Sequence, residues 1–145
     1  MKAWFESMLK VDGRANPKSA FTVIGHDLRL GQVITNLIEN ARSFVPETGG
    51  RITIRLGRRK STVRILIEDN GPGIRAEVID RVFERFYTDR PDGEDFGQNS
   101  GLGLSISRQI IEAHGGHLTA ENIPGKEEGK WAGARFIIEL PGERT

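Results

Sequence analysis

The chain has no cysteine, which excludes a disulfide framework, thiol catalysis and a cysteine-based zinc site. No apolar run approaches the roughly 20 residues that a bilayer-spanning helix needs, and the first ten residues lack the make-up of a signal peptide. A cytoplasmic location without direct membrane contact is therefore expected. Charge of one sign is missing as well. The 21 Lys and Arg stand against 20 Asp and Glu, formally +1, so nothing argues electrostatically for a nucleic-acid partner. Glycine is in excess, with 18 in 145 residues against a usual share of about 7%, and it gathers where loops are expected. The length suits one domain with a substantial core.

The most organised stretch is Asp27 to Phe44, DLRLGQVITNLIENARSF. Leu30, Val33, Ile34, Leu37, Ile38 and Ala41 recur at the spacing of one helix face. Asn36 and Asn40 are four apart and share a face roughly 110° from the centre of that stripe, at its border. Asparagine is a mediocre helix former because its amide competes for backbone groups. Two in register suit a job for the amides, which ligate hard cations and bond phosphate oxygens. Two solvated surface amides would give the same pattern.

Along the chain, residues 1–19 read as an appendage or linker and 20–142 as the domain. Ala20 to Ile24 reads as a strand, with Asp27 as N-cap of the helix that follows. Arg51 to Leu56 and Thr62 to Asp69 form a hairpin across Gly57 to Ser61. Glu77 to Phe83 suits a short helix, and 88–100 is a long polar loop. A helix from Leu102 to about His114 would bury Leu102, Ile106, Ile110 and Ala113 and end at Gly115-Gly116. His117 to Asn122 and Trp131 to Leu140 complete the strands. The expected architecture is an α+β two-layer sandwich with a mixed, mostly antiparallel sheet and helices on one face.

Asp69 continues the phase of Val63, Ile65 and Ile67 along its strand, so its carboxylate is aimed inward just before Asn70-Gly71-Pro72-Gly73. Such a group needs a donor. The exocyclic amine of adenine is one, whereas guanine presents a carbonyl there. A turn-initiating Asp before Asn-Gly is the plain alternative. Gly101-Leu102-Gly103-Leu104 closes the polar loop and opens a helix, a place where backbone N–H groups can meet phosphate, although an ordinary loop-to-helix turn looks similar.

NLIENA (Asn36–Ala41), DNGPG (Asp69–Gly73), FERFY (Phe83–Tyr87) and GLGL (Gly101–Leu104) together resemble, in order and separation, the N, G1, F and G2 boxes of sensor histidine kinase ATP-binding catalytic domains. The resemblance covers about Phe21 to Pro141 and is nearest to the ChvG/ExoS-like sensors of alphaproteobacteria. It implies the Bergerat fold and binding of ATP with Mg²⁺. The phosphoacceptor and dimerisation domain of the same kinase and a response regulator are the implied partners, with the unit on the cytoplasmic side of an inner-membrane sensor. Residue by residue, Asn40 would hold Mg²⁺, and Asn36 would contact phosphate. Asp69 would accept from adenine, with Gly71, Gly73 and Ile74 beside the base and Phe44 packed near it. Residues 88–100 would be the lid, anchored by Phe83 and Phe86, and Gly101, Leu102, Gly103 and Leu104 would meet the phosphates. Asn36, Arg85 and Glu39 are the catalytic candidates, Arg85 toward the γ-phosphate and Glu39 toward the incoming histidine.

Several positions depart from the family pattern. Ser43 stands where a lysine is frequent, with Arg42 beside it as a substitute cation. Gly133-Ala134 replaces a frequent Gly-Thr. His26-Asp27-Leu28-Arg29 imitates a phosphoacceptor motif but lacks the following Thr-Pro, so the accepting histidine is expected on another domain. Two readings compete with the kinase: a hydrolysing ATPase or anti-sigma-type serine kinase of the same superfamily, and a non-catalytic nucleotide-binding or docking module.

Overall fold

The computed structural model describes residues 21–85 and 103–142. The expected appendage 1–19, the lid segment 88–100, Phe86, Gly101 and Leu102 lie outside them.

Helix α1 spans Asp27–Arg42 and buries Val33, Leu37 and Ala41, the centre of the stripe seen in the sequence. Its N-cap is His26, one residue before the expected Asp27. The Asp27 carboxylate instead accepts the adjacent Leu28 N–H at 2.8 Å. The His26 N–H is taken by His114 Nε2 at 3.0 Å, while His114 Nδ1 lies 2.7 Å from the Ile110 carbonyl and donates to it. The start of α1 is thus tied to the end of the second helix by a ring, not by a side-chain cap.

Strands β1 (Ile52–Arg59), β2 (Thr62–Asp69), β3 (His117–Pro124) and β4 (Trp131–Pro141) form one sheet in the order β1-β2-β4-β3. Every pairing in it is antiparallel. The first hairpin is tighter than its sequence suggests. β1 runs through Gly57 to Arg59, opposite Thr62, and the turn is left to Lys60 and Ser61, with Lys60 at φ 56. The strand expected at Ala20–Ile24 is reduced, in its described part, to a single bridge from Val23 to Gly142.

Helix α2 spans Gly103–Ala113 and lies with α1 on one face of the sheet. It buries Ser105, Ser107, Ile110 and Ile111, whereas Ala113 is exposed and Ile106 only half-buried. The expected face was therefore turned. The helix packs against α1 as well as the sheet, and the small Ser107, bonded to Asn36, is what fits between the two helices. Gly115, at φ 78, ends it, and the Gly116 N–H returns to the Ile111 carbonyl. Between β2 and α2 the expected helix over Glu77–Phe83 shrinks to a 3₁₀ turn, Ile79–Arg81, flanked by buried Val78 and Val82.

The core lies between helices and sheet: Val33, Leu37 and Ala41 from α1, Ile110 and Ile111 from α2, Ile67, Leu118, Phe136, Ile138 and Leu140 from the strands. On the opposite sheet face the register aligns Thr53, Glu68, Arg135 and Glu121 in one row. Arg135 donates to Glu68 at 2.6 Å and to Glu121 at 2.8 Å, and Arg55 reaches the other Glu68 oxygen at 2.8 Å. Glu68 is 8% exposed, so its charge depends on these partners. Arg135→Ala should cost about 3 kcal/mol in urea unfolding, because it strands a buried carboxylate with one remaining cation. The double change Glu68→Gln with Arg135→Met should cost clearly less, and equal costs would mean that the pairing itself contributes little.

Candidate functional site

The site forms where β2 ends, α1 ends and α2 begins. Asp69 is the last residue of β2 and is 5% exposed. One oxygen, Oδ1, accepts the N–H of Gly71 at 2.9 Å and of Ala134 at 3.3 Å. The other, Oδ2, has no hydrogen bond among the described residues and is not sealed from solvent. Burial pushes the carboxyl up from the ordinary aspartate value of 3.8, against the two N–H bonds, which pull it down. A carboxylate held on one side and open on the other is a receptor for a donor.

The backbone crowds that carboxylate. A Cβ at Gly71 would lie 2.6 Å from the Phe44 carbonyl oxygen and 3.1 Å from Asp69 Oδ1. A Cβ at Gly133 would collide with the Asp69 carbonyl oxygen. Gly133-Ala134 therefore matters to the site through its backbone, and the missing threonine hydroxyl does not prevent Ala134 from donating. Asn70 fixes the loop from outside: its Oδ1 accepts from Arg51 N–H at 2.7 Å, and its Nδ2 donates to the Gly49 carbonyl at 2.8 Å. What Asn70 and Ala134 hold shows only in the three-dimensional arrangement, since each acts on a segment distant in sequence.

On α1, Asn36 Nδ2 donates to Ser107 Oγ at 3.2 Å and lies 3.5 Å from the Gly103 carbonyl. That amide holds the first turn of α2 against α1, leaving its carbonyl oxygen for other work. The Asn40 side chain is half-buried and makes no hydrogen bond among the described residues. Gly103 opens α2 with Asn36 as its nearest packing neighbour, and Leu104 turns its side chain to the core.

Glu39, Arg42 and Ser43 lie at the same end of α1, and Phe44 follows them. Arg42 pairs with Glu39 at 2.9 Å, and Ser43 Oγ donates to the Asn40 carbonyl at 2.6 Å, closing the helix end. The charges of Glu39 and Arg42 are thereby paired locally. Arg85 is exposed at the end of the described segment. Phe44 is half-buried, with its carbonyl against Gly71. Phe83 packs edge-on against Phe136, and the Arg108 guanidinium sits 4.5 Å over its ring, which anchors this end of the F-box stretch to α2.

These residues fit a magnesium nucleotide. Among the described residues no three His, Cys, Asp or Glu cluster as a metal cage. An open amide oxygen such as that of Asn40 is what Mg²⁺ uses when most of its other ligands are phosphate oxygens and water.

The family model described as "Histidine kinase-, DNA gyrase B-, and HSP90-like ATPase" matches residues 25–144. The chain belongs to that ATPase family. It is 68% identical over 131 residues to the sensor protein ChvG of Rhizobium meliloti (strain 1021), covering 90% of this chain and 22% of that protein. This domain of the ATPase family thus spans about a fifth of the length of that relative. Among solved structures, the mycobacterial sensor histidine kinase MprB superposes with a TM-score of 0.71 at 34% identity, over 85% of this chain and 78% of that one. Full-length ShkA in complex with AMPPNP gives 0.62 at 30% identity, over 81% and 22%. The fold of this ATPase domain is the α+β sandwich expected from the sequence. No described helix is long and apolar enough to cross a membrane.

Proposed function

We propose that this chain is the ATP-binding catalytic unit of a two-component sensor histidine kinase, working on the cytoplasmic side of an inner-membrane sensor. It holds Mg-ATP and presents the γ-phosphate to a histidine on the separate phosphoacceptor and dimerisation domain of the same kinase. A response regulator takes the phosphoryl group from there. The observation that carries the reading is Asp69, whose Oδ1 is fastened by two backbone N–H groups while Oδ2 stays open.

In this reading Asp69 Oδ2 accepts from the adenine amine, and Gly71 and Gly73 let the base lie against the backbone, beside Phe44 and Ile74. The start of α2, with Gly101, Leu102, Gly103 and Leu104, offers backbone N–H groups to the phosphates. Asn36 steadies that helix start through its Nδ2 and turns its oxygen to the site. Arg85 is the cation for the γ-phosphate. Glu39 and Arg42, which satisfy each other, are given no contact with it. Asn40 is the residue that would hold Mg²⁺, and the ion would supply positive charge against the phosphates there. The attacking imidazole nitrogen forms the new bond to phosphorus as the bond to the ADP oxygen breaks, and ADP leaves with that electron pair. The protein's part is positioning and charge stabilisation.

Asn40→Ala should abolish the tightening of nucleotide binding by Mg²⁺ while the far-UV spectrum stays that of the native protein. Asn40 is off the buried stripe, so its loss opens no core cavity. Calorimetry with Mg²⁺ and with EDTA checks this. A variant that Mg²⁺ still tightens as before would place the metal elsewhere. The reading as a whole is tested by adding a phosphoacceptor hairpin and labelled ATP and looking for acid-labile phosphate on the hairpin.

A further inference from the structure

The loop after Asp69 is fastened at its far end by a residue that has no place in the reading so far. Asn122 stands on β3, and its Oδ1 accepts the Ile74 N–H at 2.6 Å while its Nδ2 donates to the Ile74 carbonyl at 2.6 Å. One side-chain amide thus satisfies both backbone groups of a residue 48 positions away, as a neighbouring strand would. The approach requires Gly73, at φ 84. A Cβ there would lie 2.8 Å from Asn122 Oδ1 and 2.9 Å from the Trp131 Cβ. Asn122 is also register partner to Ala134, whose N–H holds Asp69 Oδ1. The two ends of the 69–74 loop are therefore fastened to adjoining strands at one level of the sheet.

We propose that Asn122 is a positioning residue for the base of the nucleotide. By locking Ile74 it sets how far the 71–74 backbone stands from the open oxygen of Asp69, and hence how well an adenine fits between them. The proposal rests on the adenine-binding reading of Asp69 and deepens it. Few other side chains fit the role. A carboxylate of the same shape accepts from the Ile74 N–H but sets a second acceptor against the Ile74 carbonyl. An aliphatic side chain fills the space and satisfies neither group. Among the described residues Asn122 has no bond to the phosphate end of the site, where Asn36, Asn40 and Gly103 lie. Its loss should divide base recognition from phosphate recognition, which a merely structural residue would not do.

The test uses the whole chain with Asn122→Asp and Asn122→Ala, measuring Mg²⁺-dependent binding of ADP, GDP and inorganic tripolyphosphate by calorimetry and amide exchange at Ile74. Asn122→Asp should weaken ADP about tenfold, on the scale of one good hydrogen bond lost. It should leave tripolyphosphate within about twofold, narrow the preference for ADP over GDP, and speed exchange at Ile74. Equal losses for ADP and tripolyphosphate would overturn the proposal, as would unchanged ADP affinity with faster Ile74 exchange. Loss of the fold in both variants would make Asn122 a stability residue and overturn it too. A wild-type chain that binds ADP and GDP alike would instead break the underlying reading of Asp69. A preference for ADP that survives in both variants breaks the proposal alone.

Discussion

Asp69→Asn is expected to weaken ATP and ADP binding by about 1–3 kcal/mol, the scale of a buried hydrogen bond turned into a clash of like groups. The same change should leave the nucleotide-free protein at least as stable as wild type. The asparagine carbonyl can take over Oδ1, accepting from the Gly71 and Ala134 N–H groups. Its NH₂ then occupies the open side, donor facing the donor amine of adenine. The stability half follows from burial. Desolvation is the largest influence on Asp69 and raises its pKa above 3.8 in the folded chain. A carboxyl raised in this way contributes stability that is fully present below the unfolded value and lost as pH rises through the folded value. As pH rises through the folded value the wild type loses it, whereas the neutral amide has nothing to lose. The thermal midpoint of the variant relative to wild type should therefore climb from acid toward neutral pH in the absence of nucleotide. Calorimetry showing equal wild-type affinity for ATP and GTP would remove adenine from this site. A variant destabilised most at neutral pH would mean that the two N–H bonds outweigh desolvation.

Asp69 was legible in the sequence because its phase is local: Val63, Ile65 and Ile67 set it, and the strand ends as expected at Asp69. The α1 stripe was legible for the same reason, since Val33, Leu37 and Ala41 recur within one helix. The misreadings share a physical cause. Which face α2 buries depends on α1, so Ser107 is fully covered while Ala113 is exposed. Val23 resembles a strand residue but, among the described residues, pairs only with Gly142. Asn122 and Ala134 carry no local sign of their task, because what they hold lies 48 and 65 residues away. The pairing of Arg42 with Glu39 was open to the i,i+3 rule, and it bears on the substitution at Ser43. A cation standing in for the frequent lysine would have to leave a partner already at 2.9 Å.

The chain alone is expected to bind ATP, to release phosphate at a negligible rate and not to label itself, and to transfer phosphate once a phosphoacceptor hairpin is added. Hydrolysis needs a base that deprotonates or orients water near the γ-phosphate, a contribution of about 10²–10⁴ in rate. On α1 the position facing α2 carries Asn36, and an amide cannot take a proton. Its Nδ2 is in any case engaged with Ser107 and the Gly103 carbonyl. Glu39 is the acidic residue nearest to Asn36 along the helix, and its Oε1 is held by Arg42. Freeing it would cost that pair and still leave it to swing toward the α2 side. A histidine brought by a second domain meets neither obstacle, because a neutral imidazole is itself the nucleophile and needs no base for its first step. Docking the hairpin converts a bimolecular encounter into one within a complex, the source of most of the acceleration expected here. Labelled ATP with the hairpin should therefore give acid-labile phosphate on the hairpin, and the chain without it should give almost none. Multiple-turnover phosphate release by the chain alone, unaffected by Asn36→Ala and lost with Glu39→Ala, would replace the kinase reading with that of a hydrolysing ATPase.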